Sequence, residues 1–146
     1  MIALSRLVDK ALEYASEKHS GQLDDRSRPY FFAHVIQVYN VLMDVTDDED
    51  ILCAGLLHDI IEDTETTYEE LVHEFTKEIA DLVMEVTHEG TNYQDYYFPR
   101  LRSRKAIMIQ FADQLSNMSR MVNWPGDIQQ QFLEKSVFWA TKPKSK

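Results

Sequence analysis

Apolar residues recur at three- and four-residue intervals along most of this chain, and that spacing commits it to packed helices. Ile2, Leu4, Leu7, Val8, Ala11, Leu12 and Ala15 form one stripe, with Lys10, Glu13 and Glu17 off it. Few segments alternate with period two, and only four glycines and four prolines punctuate the sequence. After the first helix, residues 19–30 carry Gly21, Asp24, Asp25 and Pro29, which is loop chemistry. A second helix is expected over Phe31 to Met43. The acidic run Asp47-Asp48-Glu49-Asp50 opens a third, where carboxylates cap the end and favour the helix dipole. Thr67-Tyr68-Glu69-Glu70 has the form of a capping box, and Leu71, Phe75, Ile79, Leu82, Val83 and Val86 extend the period as two helices broken near Thr76. His88 to Asn92 reads as a loop. A long helix is expected from about Ser103 to Val122, then a break at Trp124-Pro125-Gly126 and a last helix to about Ala140. With no internal repeat and no linker, the expectation is an all-α fold, a single domain over residues 1–146 with a frayed tail from about 141.

Charge and cysteine usage narrow the function. Fifteen Lys and Arg face 25 Asp and Glu, a net charge of -10. That excludes a surface given over to nucleic acid or anionic lipid. It leaves room for an anionic small molecule, because a bound metal or a few local cations reverse the field in one cleft. The single cysteine, Cys53, rules out a disulfide framework and a thiolate zinc site. The run Ile51 to Leu57 stops at His58 and is too short to span a bilayer. Asp9, Lys10 and Glu13 stand where a signal peptide needs apolar residues. The chain reads as soluble and cytoplasmic.

His58-Asp59 directly follows seven apolar residues. Burying either group without a partner is costly, and a metal is one good partner. Glu62 lies four residues past His58 and Asp63 four past Asp59, so each pair shares a helical face. The same cluster also reads as an acid-capped helix end. His34 lies within Phe31-Phe32-Ala33-His34-Val35-Ile36, and Asp113 ends the apolar approach Ile107 to Ala112. Two imidazoles and two carboxylates from three apolar helices suit Mn²⁺, Fe²⁺ or Zn²⁺ better than Ca²⁺. Asn117, one turn past Asp113, shares its face and is a candidate substrate contact.

The spaced set His34, His58-Asp59 and Asp113 resembles the metal signature of the HD-domain phosphohydrolases. Three blocks make the likeness narrower. His19-Ser20-Gly21-Gln22 with Arg28-Pro29-Tyr30, then Gly55 to Thr64, then Phe111 to Met118, resemble the hydrolase domain of RelA/SpoT-type alarmone enzymes. The likeness covers roughly residues 5 to 122, and no segment resembles a synthetase or regulatory domain. It implies a helical bundle acting as a stand-alone small hydrolase that removes pyrophosphate from the 3′ position of guanosine tetra- or pentaphosphate. It further implies one divalent metal, Mn²⁺ first, held by His34, His58, Asp59 and Asp113. Glu62 and Asp63 would orient and deprotonate the attacking water, and Asn117 would contact the nucleotide.

The sequence departs from that family in the shell that grips the substrate. Asp24 and Asp25 stand where an Arg-Lys pair is usual, and two carboxylates there are expected to repel a polyphosphate. Val35, Gln110, Gln114 and Ser116 are further departures. The candidates to supply the missing charge are Arg26, Arg28 and the cluster Arg100, Arg102, Arg104 and Lys105. Cations at a helix start oppose its dipole, so a second reason for that cluster is expected, although it also reads as a solvated helix start. Tyr93, Tyr96, Tyr97 and Phe98 are candidates to stack on a base or to pack as a lid. The expected ligand is therefore a nucleotide phosphate, with no DNA, RNA or membrane partner. Two alternatives stand beside it: the same site acting on another nucleotide or phosphoester, and a catalytically silent fold used as a sensor or interaction module.

Overall fold

Ser5 is extended, and its hydroxyl accepts from the Leu7 and Val8 N–H groups to open α1 (Arg6–Lys18). The helix buries Val8, Ala11 and Ala15, the inner edge of the expected stripe. The computed structural model describes residues 5–24, 26–87, 103–120 and 126. Asp25, Arg100, Arg102, the Tyr93–Phe98 cluster, the Trp124 break, the last helix and the tail lie outside the described residues.

The expected second helix forms with one difference. Phe31–Val35 winds as a π turn, closed by the Ile36 N–H on the Phe31 carbonyl, and regular α-helix runs only over α2 (Ile36–Met43). The π turn carries His34, and a wide turn of this kind often lies where a side chain must be aimed. Asp48 caps α3 (Glu49–Leu57) through the Ile51 N–H at 3.1 Å. After a turn at His58 and Asp59 comes the single-turn α4 (Ile60–Asp63). Thr67 and Thr76 cap α5 (Tyr68–Glu74) and α6 (Lys77–Val86), so the break falls at the residue expected. Ser103 opens α7 (Arg104–Arg120), its own N–H and hydroxyl held by Glu85 at 2.8 and 3.0 Å. Among the described residues the structure is helical, with one isolated bridge between Leu23 and Pro29, and no helix is long and apolar enough to cross a membrane.

α3 lies at the centre and touches α1, α2, α6 and α7. All seven residues from Ile51 to Leu57 are buried, which explains why this helix reads as apolar all round rather than as a stripe. Burying each large aliphatic here is worth roughly 1.5–3 kcal/mol relative to exposure. α2 crosses so close to α3 that a Cβ on Gly55 would run into Leu42 Cδ1. That tight core fixes the end of α3, where the polar residues begin.

Candidate metal centre

Three elements deliver four polar side chains to one point. His34 comes from the π turn, His58 and Asp59 from the end of α3, and Asp113 from the middle of α7. One ligand atom from each lies within 4.8 Å of the others. His34 Nε2 and His58 Nε2 are 3.2 Å apart. Asp113 Oδ1 is 2.8 Å from His34 Nε2 and 3.1 Å from His58 Nε2. Asp59 Oδ2 is 3.5 and 3.1 Å from the same two nitrogens. The two imidazoles are almost wholly buried.

The outer hydrogen bonds decide which nitrogen faces inward. His58 Nδ1–H donates to the Gly55 carbonyl at 2.7 Å. Ser116 Oγ–H donates to Gln37 Oε1 at 2.9 Å, so the same hydroxyl accepts from His34 Nδ1–H at 2.8 Å. Both rings therefore turn an Nε2 lone pair toward the other and toward two carboxylate oxygens. Such a set requires a positive charge at its centre, and a borderline divalent ion fits two imidazoles and two carboxylates. The metal-free electrostatics carry the same demand. Burial works against the His58 imidazolium, yet the Asp59 and Asp113 carboxylates outweigh it and hold the His58 pKa well above the ordinary value. Burial also opposes the carboxylates, and the histidines override it, drawing Asp59 down to about 2 and Asp113 well below the usual range.

Glu62 and Asp63 occupy α4, immediately beside this cluster, and both are exposed. The Asp63 N–H bonds the Asp59 carbonyl at 2.9 Å, which fixes Asp63 one turn past that ligand. Although the residue as a whole is exposed, its carboxyl lies near enough to the cluster to feel all four of its charges, and partial loss of hydration and then the Asp59 charge push it up to about 6, in the range of a group that exchanges a proton near neutrality. Asn117 lies one turn beyond Asp113 and is half-buried.

Several contributors had been given no role at this site from the sequence. Ser116 and Gln37 orient His34. The Gly55 carbonyl orients His58. The Tyr30 hydroxyl donates to Asp59 Oδ2, and burial followed by the Asp59 charge raises its pKa, so it stays protonated as a donor. His19, left without a role, is buried and bonds Gln22 Oε1 at 2.8 Å, while Gln22 Nε2 donates to the Asp63 carbonyl at 2.9 Å. The signals that exist are spacings: Ser116 three residues past Asp113, Tyr30 four before His34, Gly55 three before His58.

The basic candidates are placed differently from one another. Asp24 does not face a substrate as a bare charge. Its Oδ1 accepts from the Arg26 and Arg28 N–H groups, and its Oδ2 from the Arg28 guanidinium at 2.9–3.0 Å. The part of the expected repulsion assigned to Asp24 is thus compensated within the loop, and Arg28 is committed to Asp24. Arg26 is exposed at the loop tip. Lys105 pairs with Asp48 at 3.1 Å and Asp50 at 3.8 Å, at the start of α3. Eight residues separate it from Asp113, about 12 Å along the helix axis, so the structure does not bring it to the cluster. The acidic start of α3 is the second reason for that cation. Arg104, exposed in the same turn, is one residue farther away.

A His₂Asp₂ cluster of this geometry on a helical scaffold is compatible with a divalent-metal site, and the family and structural likeness that follow make the chain a metal-dependent hydrolase. The chain belongs to the HD domain family, whose model matches residues 11–138. Its structure is similar to that of a metazoan ortholog of SpoT that hydrolyses ppGpp and plays a role in starvation responses: 26% sequence identity, TM-score 0.80, covering 99% of this chain and 91% of that one. Among curated protein sequences no relative matches it.

Proposed function

We propose that this chain removes the 3′-pyrophosphate from guanosine tetra- and pentaphosphate, with Mn²⁺ as its metal. The observation that carries this reading is the pairing of the four converging ligand atoms with Asp63 one turn past Asp59, in a chain whose whole length is similar to a ppGpp hydrolase. His34, His58, Asp59 and Asp113 would hold the ion, which supplies Lewis-acid activation of water and neutralises phosphate charge. Asp63, with Glu62 beside it, orients the attacking water and takes its proton. The water oxygen bonds to phosphorus, the bond from phosphorus to the ribose 3′ oxygen breaks, and that oxygen leaves with a proton. Asn117 and Arg26 contact the nucleotide. The cytoplasm is the proposed location.

A second reading keeps the metal and the water-activating pair but takes another nucleotide or phosphoester. It is favoured by the loop tip, where Arg28 is spent on Asp24 and leaves Arg26 as the exposed arginine of that loop. A screen of nucleotide phosphates with Mn²⁺, reading released phosphate and pyrophosphate separately, decides between them. Pyrophosphate from guanosine tetraphosphate is the expected product. Turnover of another nucleotide with none of the tetraphosphate selects the second reading, and no turnover with metal bound selects a silent fold.

A further inference from the structure

The ring of His34 is aimed by a residue 82 positions away in sequence. Its backbone lies in the π turn, and its Nδ1 meets Ser116 Oγ on α7 at 2.8 Å. Ser116 is almost wholly buried, and its hydroxyl proton goes to Gln37 Oε1 at 2.9 Å. Gln37 lies three residues past His34, so a serine from α7 sits between two side chains of the same segment. The far end of this chain of bonds is reached by Ser119 Oγ at 3.4 Å, and Ser119 is itself tied to the Ser116 carbonyl at 2.7 Å. Gln37 also lines a groove of about 270 Å³ between α2 and α7, with Asn40, Val41 and Leu115. The relay therefore runs from a buried ligand nitrogen to the edge of solvent. With Gln37 Oε1 turned to the serine, the donor and acceptor order follows: an amide oxygen only accepts, so Ser116 donates to it and accepts from His34.

We infer that Ser116 and Gln37 are positioning residues of the metal centre, which lock His34 as the Nδ1–H form and set how strongly its Nε2 donates to the ion. The inference rests on the metal-site reading above. A hydrogen bond at the outer nitrogen fixes the tautomer and strengthens the inner one as a ligand, and loss of such a partner typically weakens metal binding 10- to 100-fold. The charge at the end of the relay should then be felt at the metal through the serine hydroxyl.

The test titrates Mn²⁺ into the purified full chain by calorimetry. Ser116→Ala should weaken binding about 10- to 100-fold, Ser116→Thr should retain it, and Gln37→Ala should weaken it several-fold. Gln37→Glu should tighten binding several-fold, and that gain should vanish in the Ser116→Ala, Gln37→Glu double variant. Nitrogen NMR of the His34 ring should show loss of the single Nδ1–H form in Ser116→Ala. A folded Ser116→Ala that binds like the wild type overturns the inference. So does a gain from Gln37→Glu that survives in the double variant, because plain charge attraction would then explain it. Should Ser116→Ala not fold, the Gln37 variants, half-buried on the groove, decide alone, and wild-type affinity in Gln37→Ala overturns the relay. Absence of binding by the wild type removes the metal reading and this inference together; binding by the wild type with unchanged variants removes only the inference.

Discussion

Removing the metal should expose a pH dependence of stability that the loaded protein lacks. In the metal-free molecule the His58 pKa is raised well above the ordinary 6.5. Its imidazolium contributes stability that is fully present below pH 6.5 and is lost as the pH rises through the raised value. Asp59 runs the other way. Its pKa is about 2 in the fold against 3.8, so its contribution is present above about pH 4 and lost as the pH falls through 2. That difference corresponds to about 2 kcal/mol. The contribution of these two groups to the metal-free fold is therefore greatest between about pH 4 and 6.5 and weakens on the alkaline side. A divalent ion takes over the central positive charge, and below the raised His58 value it must displace a proton to do so. At a concentration 100 times its dissociation constant it adds about 2.7 kcal/mol, a rise in Tm of roughly 5–11 °C at this size. Thermal unfolding with Mn²⁺ and with chelator, at pH 6 and pH 8, should show the larger gain at pH 8. Calorimetry at pH 6 in two buffers of different ionisation enthalpy should show proton release. Equal gains at both pH values, or no proton release, would refute the reasoning that the ion and the His58 proton compete for one place.

Three further outcomes are expected. Asp63→Asn and Glu62→Gln should keep wild-type Mn²⁺ affinity and lose about 10²- to 10⁴-fold in turnover, measured as steady-state pyrophosphate release; full turnover in either would reduce that residue to a helix-face acid. Arg26→Ala should raise KM with little change in kcat, while Lys105→Ala should leave KM unchanged, since its charge is spent on Asp48 and Asp50; the reverse order would place substrate at the start of α7. Gly55→Val should cost about 1–3 kcal/mol through overpacking against Leu42, read by denaturant unfolding, and undiminished stability would show that the α2–α3 contact yields freely.

Most of the described helices, and the chemistry of the central cluster, are legible in the linear order of residues. Asp48, Thr67 and Thr76 cap helices within a few residues of themselves, so their effect is local and legible in a linear reading, whereas the Ser5 cap was passed over by a stripe read from Ile2. The apolar spacing marks which faces are buried, and a His or Asp set into such a face stands out because burying it alone is costly. His34, His58, Asp59 and Asp113 were visible for that reason. Where the remaining bonding capacity goes depends on packing between distant segments. Asp24 reads as a charge aimed at substrate until the loop folds back and gives it the Arg28 guanidinium and two N–H groups. Lys105 reads as a phosphate contact until α7 lies against the start of α3. The inward nitrogen of His34 is chosen by Ser116, 82 residues away. Periodicity and capping act over one or two turns of chain, whereas a hydrogen bond is chosen by whatever packing brings within about 3 Å.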